Sequence, residues 1–178
     1  MNHLESLTAE FLEFAGYFVR KNVQVAPRSR GGYEGELDVV AIHPVTRHVL
    51  HVEPSLDALP WSKRQKRFAR KFALGRAHIP QLFDGLDAPA DIDQVALLVF
   101  ASRKNVTKVG GARLLLVGEL MHEIVAELRK RPVERAAVPE QFPCLRSIQF
   151  ACQFAGVGVV DVPGIAKQPL VRPRQSHK

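Results

Sequence analysis

Two cysteines and no CxxC pair leave this 178-residue chain without the makings of a disulfide framework or a structural zinc site, because Cys144 and Cys152 are too few and wrongly spaced. Both are expected to be reduced and buried. No apolar run approaches the roughly 20 residues that a bilayer-crossing helix needs, and the first residues lack the apolar core of a signal peptide, so the expected location is the cytoplasm. A phosphate-cradling GxxxxGK loop, a nucleophile elbow and an internal repeat are also missing. Acids are in deficit, with 18 Asp and Glu against 25 Lys and Arg, which gives a formal charge of +7 and a sequence pI near 9.8. Such a balance favours a polyanionic partner. What the chain does have is 46% hydrophobic residues, enough for one compact domain with a sizeable core.

The scarce acids are not scattered. Between Gly35 and Ser55 the chain writes Gly-Glu-Leu-Asp-Val-Val-Ala, a short turn at Pro44-Val45-Thr46-Arg47, then Val-Leu-His-Val-Glu-Pro-Ser. This reads as two strands of an antiparallel hairpin. Side chains alternate across a strand, so Glu36 and Asp38 are expected on one face and Leu37, Val39 and Ala41 on the other. In the second strand His51, Glu53 and Ser55 fall together, opposed by Leu50 and Val52. With the two acidic faces on the same side, Asp38 and Glu53 converge on one hard cation. Clustered carboxylates repel and lose hydration, a cost that a cation offsets. Mg²⁺ suits the position, because it takes oxygen ligands and needs only one or two protein carboxylates together with substrate phosphate oxygens. The plainer reading is an amphipathic hairpin whose polar face meets water; His51 could touch the metal-bound water or a phosphate, but a histidine packed in a strand is the preferred reading.

Around the hairpin, Leu4, Leu7, Phe11, Phe14, Ala15 and Phe18 recur at helical spacing over 4–20, and Asn22 to Val25 reads as a strand. Trp61 to Ala73 reads as a helix on which Lys63, Arg64, Lys66, Arg67, Arg70 and Lys71 occupy barely three turns, leaving a narrow apolar stripe near Trp61, Phe68 and Phe72. Such a helix could lie along phosphates, although a charge run is often only a solvated face. Val95 to Phe100 suits a buried central strand and Arg113 to Val117 another. Helices are expected over 119–130, ended by Pro132, and over 145–154, stopped by Gly156. Residues 1–162 are expected to form the domain, with 163–178 a basic, proline-containing and poorly ordered tail that adds contacts to phosphate.

The order helix, strand, Gly-Glu-Leu-Asp strand, Val-Glu-x-x strand resembles the PD-(D/E)xK nuclease superfamily over roughly residues 4 to 102. The resemblance implies an α/β domain of restriction-endonuclease-like arrangement, with a mixed central sheet flanked by helices. It matches Asp38 to the first motif acid, Glu53 to the second, and Ser55 to the place of the usual lysine. A helical glutamate is usual in that family, and Glu5 or Glu10 could match it. In the family the lysine is taken to orient or help deprotonate the attacking water and to offset charge at the phosphate, which a serine hydroxyl cannot do. Pro54 also interrupts the strand. Either the site has lost catalysis or a cation arrives from elsewhere, and Lys71, ahead of Lys63 and Lys66, is the preferred donor.

The expected function is therefore a Mg²⁺- or Mn²⁺-dependent nuclease acting on DNA. Asp38 and Glu53 would ligate the metal, with Glu36, Ser55, Lys71 and Glu5 or Glu10 nearby, and Lys63, Arg64, Lys66, Arg67 and Arg70 on nucleic acid. RNA stays open as a substrate, and many relatives of the fold cut duplexes as homodimers. The rival from another class is a nuclease-like domain without catalysis that serves as a DNA-binding or protein-interaction module.

Overall fold

The computed structural model describes residues 2–86, 89, 91–101, 106–155 and 169–171. Helix α1 (His3–Phe14) starts at a capping box, where the Asn2 side chain accepts from the Glu5 backbone and the Glu5 carboxylate accepts from Asn2. It stops well short of the expected Arg20. Gly16 adopts φ 92°, which L side chains rarely tolerate, and the chain turns there into β1 (Phe18–Pro27), leaving Phe18 exposed on the strand. The strands β2 (Tyr33–Ile42) and β3 (Val49–Ser55) follow as the expected hairpin. Next come α2 (Trp61–Leu82), β4 (Ile92–Leu98), β5 (Lys108–Val109), β6 (Ala112–Leu116), α3 (Val117–Leu128), the short α4 (Val133–Ala136) and α5 (Pro143–Phe154).

The six strands form one mixed sheet in the order β1-β2-β3-β4-β6-β5. The first three are mutually antiparallel, β3-β4 and β4-β6 are parallel, and β5 closes an antiparallel hairpin on β6. The crossover from β3 to β4 is α2. This long helix covers one face, where Phe68 and Phe72 pack on Ala96, Leu98 and Leu114, and Ile79 packs on Val40, Ile42 and Val49. On the opposite face Val39, Ala41, Leu50, Val52, Val95 and Leu97 meet α1, α3 and α5. Burial from both sides explains the unbroken apolar run Val95 to Leu98 of β4, whereas β3, buried throughout, still carries His51, Glu53 and Ser55. Among the described residues no helix is long and apolar enough to cross a membrane.

Two details depart from simple alternation. Val19 packs on the α1 side, yet Val23 and Val25 of the same strand pack on the α2 side. The change of face falls at Asn22, whose φ is 52°. The neighbouring β2 changes face with it: Leu37, Val40 and Ile42 share one cluster on the α2 side, so the step from Leu37 to Asp38 does not reverse direction. Asp38 consequently points at α2, whereas Glu36 is exposed and does not join it. This corrects the expected pairing of Glu36 with Asp38.

Pro54 does not break β3, which is buried throughout and continues to Ser55. Backbone groups of adjacent strand residues point to opposite edges. The Ser55 carbonyl accepts from Val99 beyond the β4 end, so Pro54 faces the β2 edge, where the ladder has already ended at Val39 and Val52. No donor is missed there. Of the expected tail, only 169–171 are described, and these are docked rather than loose. Leu170 is fully buried and its N–H donates to Glu123. Gly156 and the rest of 163–178 lie outside the described residues.

Candidate functional site: two carboxylates on one ammonium

Asp38 on β2 and Glu53 on β3 lie side by side on the face covered by α2, and the helix sends one side chain between them. Lys71 Nζ is 2.7 Å from Asp38 Oδ1 and also binds Glu53 Oε2. The Asp38 backbone N–H donates to Glu53 Oε1 at 3.3 Å, made possible because β2 and β3 have separated at this level. Glu53 is fully buried and Asp38 nearly so, so the shared ammonium offsets a desolvation cost that neither carboxylate could meet alone.

One ammonium between two carboxylates leaves the trio one negative charge in excess. Burial, hydrogen bonding to Glu53 and repulsion by Glu53 outweigh Lys71 and push Asp38 up to about 6. Burial pulls the Lys71 ammonium down, but Glu53 and Asp38 more than reverse it, so its pKa is raised. His51, on β3 two residues before Glu53, is buried and places Nε2 2.8 Å from Glu53 Oε1. Burial first, then the Lys71 charge, lowers its pKa to about 3, so the ring is neutral near pH 7.

Ser55 has a different set of partners. Its hydroxyl donates to Asp57 Oδ2 at 2.6 Å and accepts from Arg67 at 2.9 Å, and Arg67 also pairs with Asp57 at 2.5 Å. Arg67 and Lys71 are one helical turn apart on α2, so the helix delivers a cation to each end of the acidic strand terminus. Lys63, Lys66 and Arg70 are exposed along the same helix, with Arg70 donating to the Glu34 carbonyl. Arg64 is not on that exposed face. It is buried against the Trp61 ring and holds the Asp57 carbonyl at 2.6 Å, which corrects its expected place among the phosphate contacts.

The helical glutamates go elsewhere. Glu5 closes the α1 capping box, and Glu10 accepts from the Cys144 and Leu145 backbone at the start of α5, on the opposite face of the sheet. The structure therefore brings Asp38, Glu53 and Lys71 together, sets Ser55 and Arg67 beside them, and leaves Glu5, Glu10 and Glu36 out. Gln94 and Arg76 join through His51, and sequence reasoning missed both: each is an ordinary polar residue at a position whose partner is set by packing. Cys144 and Cys152 are free and half-buried, not buried as expected, and burial raises both thiols.

Among the described residues no group of three or more His, Cys, Asp or Glu side chains is arranged to hold a metal ion. Asp38 Oδ1 and Glu53 Oε2 nevertheless aim at one positive charge, an all-oxygen pair of the kind that suffices for Mg²⁺ when waters and phosphate oxygens complete the shell. That position is filled by the Lys71 ammonium, so an ion could take it only if Lys71 vacated it. Comparison with protein-family models, with curated proteins and with solved structures finds no match to this chain.

Proposed function

We propose that this chain is a Mg²⁺- or Mn²⁺-dependent nuclease that hydrolyses phosphodiester bonds in DNA, on a sheet of restriction-endonuclease-like arrangement. The observation that carries the reading is the convergence of Asp38 and Glu53, from adjacent strands, on a single cationic point occupied by a lysine of the following helix. A divalent ion there would supply charge stabilisation at the phosphate and a more acidic bound water. Lys71 is partly exposed, so its ammonium would move outward from the carboxylates toward the phosphate, where it orients the attacking water and offsets developing charge. Arg67, beside Ser55, supplies a second positive charge at the same edge, and the exposed Lys63, Lys66 and Arg70 continue the basic track for backbone phosphates. Glu53 and His51 exclude water from the inner side of the site, being fully buried.

A second reading has its own support. Lys71 already compensates both carboxylates, and Ser55 is committed to Asp57 and Arg67, an arrangement that also suits a nuclease-like module that binds DNA without cutting it. Incubation with single-stranded, duplex and branched DNA in Mg²⁺ or Mn²⁺, with EDTA as control, separates the two. Cleavage by wild type that disappears in Asp38→Asn supports the enzyme. DNA binding with no cleavage under either metal supports the module.

A further inference from the structure

The two oxygens of the buried Glu53 carboxylate have different partners, and the chain that holds one of them can be followed outward to solvent. Oε2 meets Lys71, whereas Oε1 meets His51 Nε2 at 2.8 Å. The other ring nitrogen, Nδ1, lies 3.2 Å from Gln94 Nε2, and that same amide nitrogen is 2.8 Å from the Phe72 carbonyl. Gln94 Oε1 lies 2.6 Å from Arg76 NH1.

The chemistry of these groups leaves one hydrogen-bonding pattern. A guanidinium only donates, so the Gln94 carbonyl faces Arg76, and a peptide carbonyl only accepts, so the Gln94 NH₂ faces Phe72. With both ends of the amide fixed, its NH₂ also faces His51 Nδ1. That nitrogen must then present a lone pair, and the ring proton resides on Nε2, directed at Glu53 Oε1. The packing admits no slack: a Cβ added at Gly75 on α2 would lie 2.3 Å from His51 Nδ1 and 3.1 Å from Gln94 Nε2.

We propose that His51 is a positioning residue, a neutral Nε2–H donor whose tautomer is set by Gln94 and Arg76, and that it locks the Glu53 carboxylate so that Oε2 faces the cation position shared with Asp38. Its consequence for metal binding rests on the nuclease reading above, but the hydrogen-bonding pattern stands on its own geometry. A free carboxylate would divide its time between rotamers and would pair both oxygens with Lys71; with Oε1 occupied by His51 and the Asp38 N–H, one oxygen remains for a cation. Supporting groups of this kind typically change metal affinity about 10- to 100-fold.

The test uses the full chain free of metal, with nitrogen-15 NMR of the histidine rings reporting the His51 tautomer, followed by calorimetric titration with Mn²⁺ and Mg²⁺. Wild type is expected to show a neutral ring with the proton on Nε2. His51→Leu should keep the circular dichroism spectrum and lose metal affinity by about 10- to 100-fold. His51→Gln, whose amide NH₂ can reach Oε1, should recover most of the loss. A proton on Nδ1, or metal affinity in folded His51→Leu equal to wild type, or His51→Gln no better than His51→Leu, overturns the proposal. If His51→Leu does not fold, Gln94→Met serves: it should leave the ring with mixed tautomers and weaken metal binding, and an unchanged tautomer overturns the role given to Gln94. Wild type that binds neither ion and cuts no DNA overturns the nuclease reading and the metal consequence with it, while the tautomer still decides the hydrogen-bonding pattern.

Discussion

Lys71 and Asp38 pair at 2.7 Å across the gap between α2 and the sheet, and the same ammonium binds Glu53, so one side chain from a helix of basic character holds two acids from adjacent strands. Replacing Lys71 by Met keeps the length of the stem and removes the charge. Both carboxylates would then be uncompensated, and stability at pH 7 should fall by about 3 kcal/mol, the usual cost of breaking a buried pair, less whatever water recovers at the exposed edge. Mg²⁺ should restore part of the loss. Urea denaturation with and without Mg²⁺ measures both effects, and an unaltered midpoint would show that the pair contributes nothing.

The raised Asp38 gives stability a pH dependence of definite sign. With a folded pKa of about 6 against an ordinary 3.8, the native state binds more protons than the unfolded state between those values. Stability should therefore fall as pH rises from about 4 to about 6. Divalent-ion affinity runs the other way, rising through pH 6 as Asp38 ionises. Asp38→Asn should flatten both curves, and thermal unfolding and Mn²⁺ titration at several pH values would follow them.

Asp93 provides the opposite limb. Burial alone would push it up, but His48 and Arg113 outweigh burial and hold it at about 2. Its contribution is present above the ordinary carboxylate pKa and is lost as pH falls toward 2. Asp93→Asn should destabilise the protein at pH 7 and make unfolding between pH 4 and 2 less steep, which acid titration followed by circular dichroism can measure.

Gly75→Ala should destabilise, against the rule for helices. In an exposed helix the change is worth about 1 kcal/mol in favour of Ala. Here the new Cβ would meet the His51 ring at 2.3 Å, and the ring is buried and tied at both nitrogens. A lower melting temperature together with weaker Mn²⁺ binding is expected. A rise in melting temperature would mean that His51 can move aside.

The exposed cations of α2 should act on salt dependence. Removing Lys63, Lys66 and Arg70 together should weaken DNA binding and reduce the slope of log affinity against log salt by about 0.9 for each phosphate that is no longer neutralised. Fluorescence anisotropy at several salt concentrations measures it. Arg64→Ala should instead cost stability, because that side chain is buried against Trp61.

Strand and helix identities were legible where periodicity and apolar runs are strong. The hairpin of β2 and β3 is antiparallel as its turn composition implied, β4 is central as its apolar run implied, although it ends at Leu98 and leaves Phe100 exposed, and α2 begins at Trp61. Boundaries were less legible: the apolar spacing over 4–20 continues past Phe14, but Gly16 in the left-handed region ends the helix and hands Phe18 to β1.

By itself the sequence determined that Asp38 and Glu53 would sit on neighbouring strands of a hairpin, because chemistry and spacing there are local. It also put the cations on the next helix. Only the tertiary structure decided that Glu36 would be left outside, since the change of face beside Asn22 depends on how two strands coil together under α2. It likewise decided that Glu5 and Glu10 serve as helix caps, that Arg64 is buried while Lys71 reaches the acids, and that Gln94 and Arg76 fix His51. Those partners lie 18 to 135 residues apart in several cases, as with Glu53 and Lys71 or Glu10 and Leu145, and no local pattern encodes which polar atoms a packed helix will bring into contact.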